Sequence, residues 1–176
     1  MNKLNLILIG CLFFISCSTP KTYFHTELKK DLEASKVDLK KIQFYVDRDI
    51  VLERQVADKS AKVSGGEIRL EKGEYVHVIT LKKGTPGVAT RVYRNSIDVS
   101  FEVGDNRYLT FGEVNVDPNK LYTLYADSWF KGLGAIKYDG QTYYIKPESG
   151  GAKLLVKRNV IHKSQLAKRS MSGRKV

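Results

Sequence analysis

Beyond residue 17 this chain of 176 residues has no cysteine at all, and it holds one tryptophan, three histidines and four prolines. Its two cysteines, Cys11 and Cys17, both lie in the opening stretch MNKLNLILIGCLFFISCSTP. The body therefore has no thiol nucleophile and no disulfide scaffold. A body of about 150 residues buries enough apolar surface to manage without either. His25, His77 and His162 are scattered, and no H-x-x-H, H-E-x-x-H or C-x-x-C spacing occurs, so no metal site is expected. There is no G-x-S-x-G elbow and no G-x-x-x-x-G-K-[ST] loop. Asp98, Glu102 and Glu113 are the carboxylates from which an acid–base pair could be built. Asp98 and Glu102, however, alternate with apolar residues, where polar positions read as the wet face of a strand. His77, in EYVHVITL, reads the same way, as a strand-surface residue. The expectation is a protein with no cofactor and no catalytic activity.

No apolar run is long enough to cross a bilayer, which takes about 20 residues. The longest covers 12 residues, Leu4 to Ile15, broken only by Asn5 and preceded by Lys3. This is the pattern of a secretory leader with its positive start and short apolar centre. No A-x-A-like cleavage site follows. Instead a small residue, Ser16, stands directly before Cys17, and Ser18, Thr19 and Pro20 come next. This arrangement resembles the bacterial lipoprotein signal. In that family the leader is cut before the cysteine, whose thiol and new amino terminus are acylated. Leu8-Ile9-Gly10-Cys11 matches the usual letters better than Phe14-Ile15-Ser16-Cys17. Cleavage at Cys11, however, would leave too short an apolar centre and a greasy mature start. The resemblance therefore implies a signal peptide over 1–16, lipidation at Cys17 and a tether over 17–25. It also implies a place in the bacterial cell envelope, at the outer membrane facing the periplasm. Multiple acyl chains give stable anchoring where one does not. The stretches KIQFYVDRDIVLER and YDGQTYYI resemble those of small Gram-negative lipoproteins, a likeness that brings no activity with it.

Acid is missing from one region. The chain carries 30 Lys and Arg against 19 Asp and Glu, a net +11. Eight of the bases and none of the acids fall from Lys153 onward, and Lys3 sits in the leader, so residues 17–152 hold 21 bases against 19 acids. From His162 the chain reads HKSQLAKRSMSGRKV, with no aromatic and no periodicity. Residues 161–176 are predicted to be a disordered basic tail. Lys157, Arg158, Lys163, Lys168, Arg169, Arg174 and Lys175 are its candidate contacts to an anionic surface; the plainer reading is a solubilising tail. Nucleic acid is not an expected partner, because the arm lacks base-stacking aromatics and the leader implies export.

Thr26 to Ser35 gives the one convincing helix, with Thr26 as its cap and Leu28 and Leu32 on one face. From Lys41 onward the period is two. Ile42–Val46, Ile50–Leu52, Ile68–Leu70, Tyr75–Leu81, Val88–Arg94, Ile97–Val103, Tyr108–Phe111, Leu121–Ala126, Gly134–Tyr138, Gln141–Lys146 and Ala152–Arg158 read as short strands. Thr85-Pro86-Gly87 suits a type II turn and Asp117-Pro118-Asn119-Lys120 a type I turn. Asp139-Gly140 is a hairpin signal that pairs Tyr138 with Gln141 and Ile136 with Tyr143. The reading is an all-β domain over 26–160, a small barrel or sandwich. SH3-like closure, or a division into two units near Gly112–Pro118, is an alternative.

One aromatic cluster, LYTLYADSWFKGLG over 121–134, stands out. Tyr122, Tyr125, Trp129 and Phe130 are its candidate contacts to a glycan, a peptide strand or a protein partner. The plainer alternative has Tyr122, Leu124 and Trp129 filling the core. The function expected is that of an accessory or interaction subunit anchored to the membrane. Its partners would be envelope proteins, peptidoglycan or anionic lipid. The alternative is a glycan- or peptide-binding β module built on the Trp129 cluster.

Overall fold

The computed structural model describes residues 19–59, 61, 63, 65–114, 117–161 and 174. Cys17 and the arm residues Lys163, Lys168, Arg169 and Lys175 lie outside the described residues.

The described chain runs β1 (Lys21–Tyr23), α1 (Thr26–Ala34), a 3-10 turn (Leu39–Lys41), β2 (Gln43–Val46), β3 (Ile50–Val56), β4 (Glu67–Glu71) and β5 (Glu74–Leu81). It continues with β6 (Pro86–Val92), β7 (Ser96–Ser100), β8 (Leu109–Glu113), β9 (Tyr122–Leu124), β10 (Ser128–Phe130) and β11 (Leu133–Tyr138). β12 (Gln141–Ile145), α2 (Pro147–Gly150) and β13 (Leu154–Lys157) complete it. The strands form two antiparallel sheets, ordered β1-β13-β2-β6-β7-β8-β9 and β10-β11-β12-β3-β5-β4. Their inner faces share one core. The protein is all-β, as its period-two pattern predicts.

The larger sheet returns on itself through backbone bonds. The Tyr122 N–H donates to Phe24 O (3.1 Å) and the Leu124 N–H to Ala152 O (2.8 Å), so β9 meets the β1–β13 side. The β8–β9 pairing also spans the stretch Gly112–Pro118.

Two turns follow the sequence closely. Asp139 and Gly140 both take positive φ, 50° and 72°, which a tight hairpin turn of this hand requires. The register is Tyr138↔Gln141 and Ile136↔Tyr143. Ile136, Tyr138, Tyr143 and Ile145 are buried, while Lys137, Thr142, Tyr144 and Lys146 face out. In the other, the Lys120 N–H donates to Asp117 O at 2.9 Å.

Four expectations change. The bend expected at Thr85-Pro86-Gly87 lies earlier: the Thr85 N–H closes onto Lys82 O at 3.1 Å. Gly84 supplies the positive φ, 78°. Pro86 and Gly87 instead open β6, where a Cβ on Gly87 would stand 2.6 Å from the Phe101 ring. Secondly, the helix cap is His25, whose Nδ1 accepts from the Leu28 N–H at 3.3 Å. Thr26 instead turns its hydroxyl to Glu113. Thirdly, residues 21–25 of the expected tether belong to the fold: β1 pairs with β13, and Phe24 is wholly buried. Three residues are too few to show a period, so the sequence hides this strand. Lastly, β7 ends at Ser100, and Val103 stands in solvent.

Candidate functional site

β10 and β11 form a hairpin whose two-residue turn, Lys131-Gly132, again has two positive φ angles, 48° and 81°. Trp129 pairs with Gly134 and Phe130 with Leu133. Alternation sends Trp129 and Phe130 to opposite faces of the hairpin. Trp129 lies over glycine backbone: a Cβ on Gly150 would stand 2.5 Å from its ring, and one on Gly134 would stand 3.1 Å away. The ring thus rests on two residues that have no side chain, and half of its surface, 50%, stays open. Phe130 is 72% exposed. Its ring centroid is 5.3 Å from the Lys131 ammonium. Leu133, Tyr144 and Tyr125 are also exposed. Leu133 stands opposite Phe130, and Tyr144 stands opposite Ala135 on the next strand. Phe130, Leu133 and Tyr144 thus share one face of this edge and Trp129 stands on the other; this edge strand with its exposed aromatics forms a ledge.

Of the four aromatic residues predicted as contacts, three lie on the surface. Tyr122 does not. Alternation in β9 turns it inward with Leu124, its ring packs edge-on to Phe24 at 4.9 Å, and no surface remains exposed. Its hydroxyl is buried with no hydrogen-bond partner among the described residues. Burial, with the Glu113 carboxylate second, pushes this phenol well above its ordinary value. Leu133 and Tyr144 were missed. Reading Lys131-Gly132 as a hairpin turn would have found Leu133, because that turn places it opposite Phe130.

Two expected surface residues are interior. His77 is buried: its Nε2 donates to Gly65 O (2.7 Å), so its Nδ1 accepts from the Tyr143 hydroxyl (3.0 Å). The Arg54 guanidinium lies 5.5 Å from the Tyr143 ring centroid. Asp98 is buried as well, not on a wet face. It takes bonds from Thr110 (2.7 Å) and Tyr93 (3.3 Å) and an ion pair from Arg91 (3.2 Å). Glu102 accepts from the Tyr138 hydroxyl at 2.6 Å, and Glu113 from Thr26. The three carboxylates thus hold different partners, each a bond between segments of the fold.

A polar cleft between α1 and the β6–β7 turn is lined by Lys29, Glu33, Arg94, Glu113 and Lys120 among others. Lys29 is buried there on Glu33 (2.6 Å) and Arg94 O (3.2 Å). Among the described residues no three His, Cys, Asp or Glu side chains are grouped to hold a metal ion. No described helix is long and apolar enough to cross a membrane.

Of the basic residues from Lys153 onward, Lys157 and Arg158 lie at the far end of β13 from the ledge. Gly150, beneath Trp129, precedes β13. Lys157 closes that strand in register with Lys21, and the Arg158 N–H donates to Pro20 O at 2.9 Å. The incoming chain and the start of the basic arm are neighbours. Arg174, farther along the arm, is exposed. No protein family, curated protein or solved structure matches the chain.

Proposed function

We propose that this protein is a non-catalytic interaction subunit of the bacterial cell envelope, held to the membrane by lipid on Cys17. It would sit at the outer membrane and face the periplasm. Tyr125, Trp129, Phe130 and Leu133 would meet a protein partner. The observation that carries this reading is the opposition of two ends. The chain enters the fold at Pro20, beside Arg158, while the ledge stands beyond the other end of β13. A body tethered at Pro20 therefore presents the ledge away from its anchor. Exposed apolar surface on an edge strand is costly to keep unless something covers it. The return of β9 to the β1–β13 side favours barrel-like closure of the larger sheet, as in SH3-like folds.

The test is affinity purification of the tagged full-length protein from mildly solubilised membranes. A stoichiometric partner retained by the natural chain and lost with Phe130→Ser is the expected result. An unchanged partner set would remove the ledge from the interface. Release from membranes in Cys17→Ser tests the anchor separately.

The Trp129 ring, seated on Gly134 and Gly150 with its other side open, also favours a second reading. A flat half-open indole suits a sugar ring. Quenching of its fluorescence by soluble peptidoglycan fragments would support a glycan platform.

A further inference from the structure

We infer that the corner formed by Lys21, Lys40, Lys41, Lys157 and Arg158 rests on an anionic phospholipid surface and fixes how the body stands on the membrane. This rests on the proposed lipid attachment and adds a contact the leader does not provide. The five cations come together through the topology. β1, β13 and β2 are neighbours. Lys21 pairs with Lys157, and the Val156↔Phe44 pairing brings Lys157 beside the start of β2. Lys41 ends the 3-10 turn just before β2 and lines one shallow concavity with Lys157, Val37 and Val160. Lys40 precedes it, and Arg158 follows β13 against Pro20.

None of these five makes an ion pair with another described residue. Lys29, Lys30, Arg48, Arg69, Lys82, Arg91, Arg107 and Lys146, spread over the rest of the body, all do. The acid at the corner, Asp38, is occupied in capping the 3-10 turn through the Lys40 N–H at 3.0 Å. Other cations without an ion pair among the described residues, such as Lys72 and Lys137, stand singly elsewhere; these five come from three segments and sit together where the chain comes in. Lys21 also lies over the Tyr45 ring at 4.4 Å.

The occupant follows from the chain that precedes this corner. Cys17 is three residues before Pro20. An extended segment of that length reaches roughly 10 Å. Acyl chains on Cys17 would thus hold the corner within about one Debye length of the headgroups at about 0.1 M salt. Phosphate oxygens in a plane match clustered ammonium and guanidinium groups. In the sequence, the basic residues from Lys163 onward follow Arg158 and carry the same sign.

The experiment is amine-acetylation footprinting of the full-length lipidated protein, read by mass spectrometry. It is reconstituted in vesicles of phosphatidylglycerol with phosphatidylethanolamine, and separately in phosphatidylcholine. On anionic vesicles Lys21, Lys40, Lys41 and Lys157 are expected to label several-fold more slowly, with Lys72 and Lys137 unchanged. The contrast should vanish near 1 M salt, where screening shortens to about 3 Å. Equal labelling on both vesicle types overturns the inference. So does protection found only in native membranes alongside a stoichiometric acidic protein. Failure of the anchor reads differently: on flotation, protein would leave phosphatidylcholine vesicles but stay with anionic ones if the corner alone binds. Loss from both overturns the two readings together.

Discussion

In the seven-stranded sheet, Phe44, Ile97, Phe111, Tyr122, Leu154 and Val156 are wholly covered, and β9 is bonded back to the β1–β13 side. The six-stranded sheet ends otherwise. Its outer strands β10 and β4 carry Phe130 and Leu70 into solvent, and among the described residues neither edge is closed by a further strand. β4 reads Glu-Ile-Arg-Leu-Glu, a charged edge that discourages another strand from adding. β10 reads Ser-Trp-Phe and has no charge. The larger sheet keeps most of its large apolar residues in the core, with Tyr23 and Val88 exposed, while the smaller sheet exposes Trp129, Phe130 and Leu70 on its two outer strands. Substitutions in the two should therefore separate stability from binding.

The largest loss is expected at Phe111, wholly buried in β8 and stacked edge-on to Phe101 at 6.3 Å. Phe111→Ala should cost about 3–5 kcal/mol in urea unfolding. A loss below about 1 kcal/mol would mean that the larger sheet is not the scaffold. Within the smaller sheet the deepest polar contact is His77 with Tyr143. Tyr143→Phe leaves the His77 Nδ1 buried without its donor, and should cost about 1–3 kcal/mol. If that variant were neutral, the smaller sheet would be soft throughout and not only at its edges.

The period-two pattern made most of this fold readable, because each such strand has one face in the core and one in water. The Asp139-Gly140 hairpin was readable to the residue, since its turn type fixes its register. Failures fell where a strand breaks that rule. Asp98 and His77 sit at polar positions of the pattern but are covered by other segments, and no local pattern reports what a distant loop covers. β1 and β10 have three residues each, too few for a period. Of the exposed residues at this edge, Tyr125, Trp129 and Phe130 were legible, because they crowd a glycine turn, and Leu133 and Tyr144 were not. Tyr122 was misplaced because an aromatic cluster in sequence is split by alternation into a buried half and an exposed half. At the corner near Pro20, Lys157 and Arg158 were legible as anionic-surface contacts, but their meeting with Lys21, Lys40 and Lys41 was not, because those residues are far apart in the chain.

The phenols of the shared core give a pH test. Burial, and then the bond to Glu102, push Tyr138 well above its ordinary value, and burial does the same for Tyr122. In the unfolded chain both ionise near pH 10. Raised folded values favour the native state below that pH, so the contribution is intact at neutrality. It is lost as pH rises above about 10, when only the unfolded chain can release its protons freely. Melting temperature should fall steeply between pH 10 and 11.5, on the order of the unfolded phenol range. Tyr122→Phe should flatten that fall. At pH 7 it should be neutral or stabilise by about 1 kcal/mol, because it removes a buried hydroxyl that has no partner among the described residues. A destabilised Tyr122→Phe would show that the hydroxyl does have one.

The smallest effect on stability is expected at the ledge, and there the comparison is decided. Phe130 is mostly in water, with the Lys131 ammonium 5.3 Å from its ring centroid. Phe130→Ser should shift unfolding by no more than about 0.5 kcal/mol, the usual range for a surface change. Gly150→Ala provides the matched probe. Its added methyl would meet the Trp129 ring at 2.5 Å and must move that ring, so the indole emission should shift red with little change in melting. If both variants melt like the natural chain and both lose a co-purified partner, the hairpin serves binding and not the fold. If Phe130→Ser instead destabilises the protein like a core substitution, the exposed ring is holding the β10 edge in place. The difference between the two sheets would then be one of degree, and the search for an interface would move to the polar cleft lined by Lys29, Arg94 and Lys120.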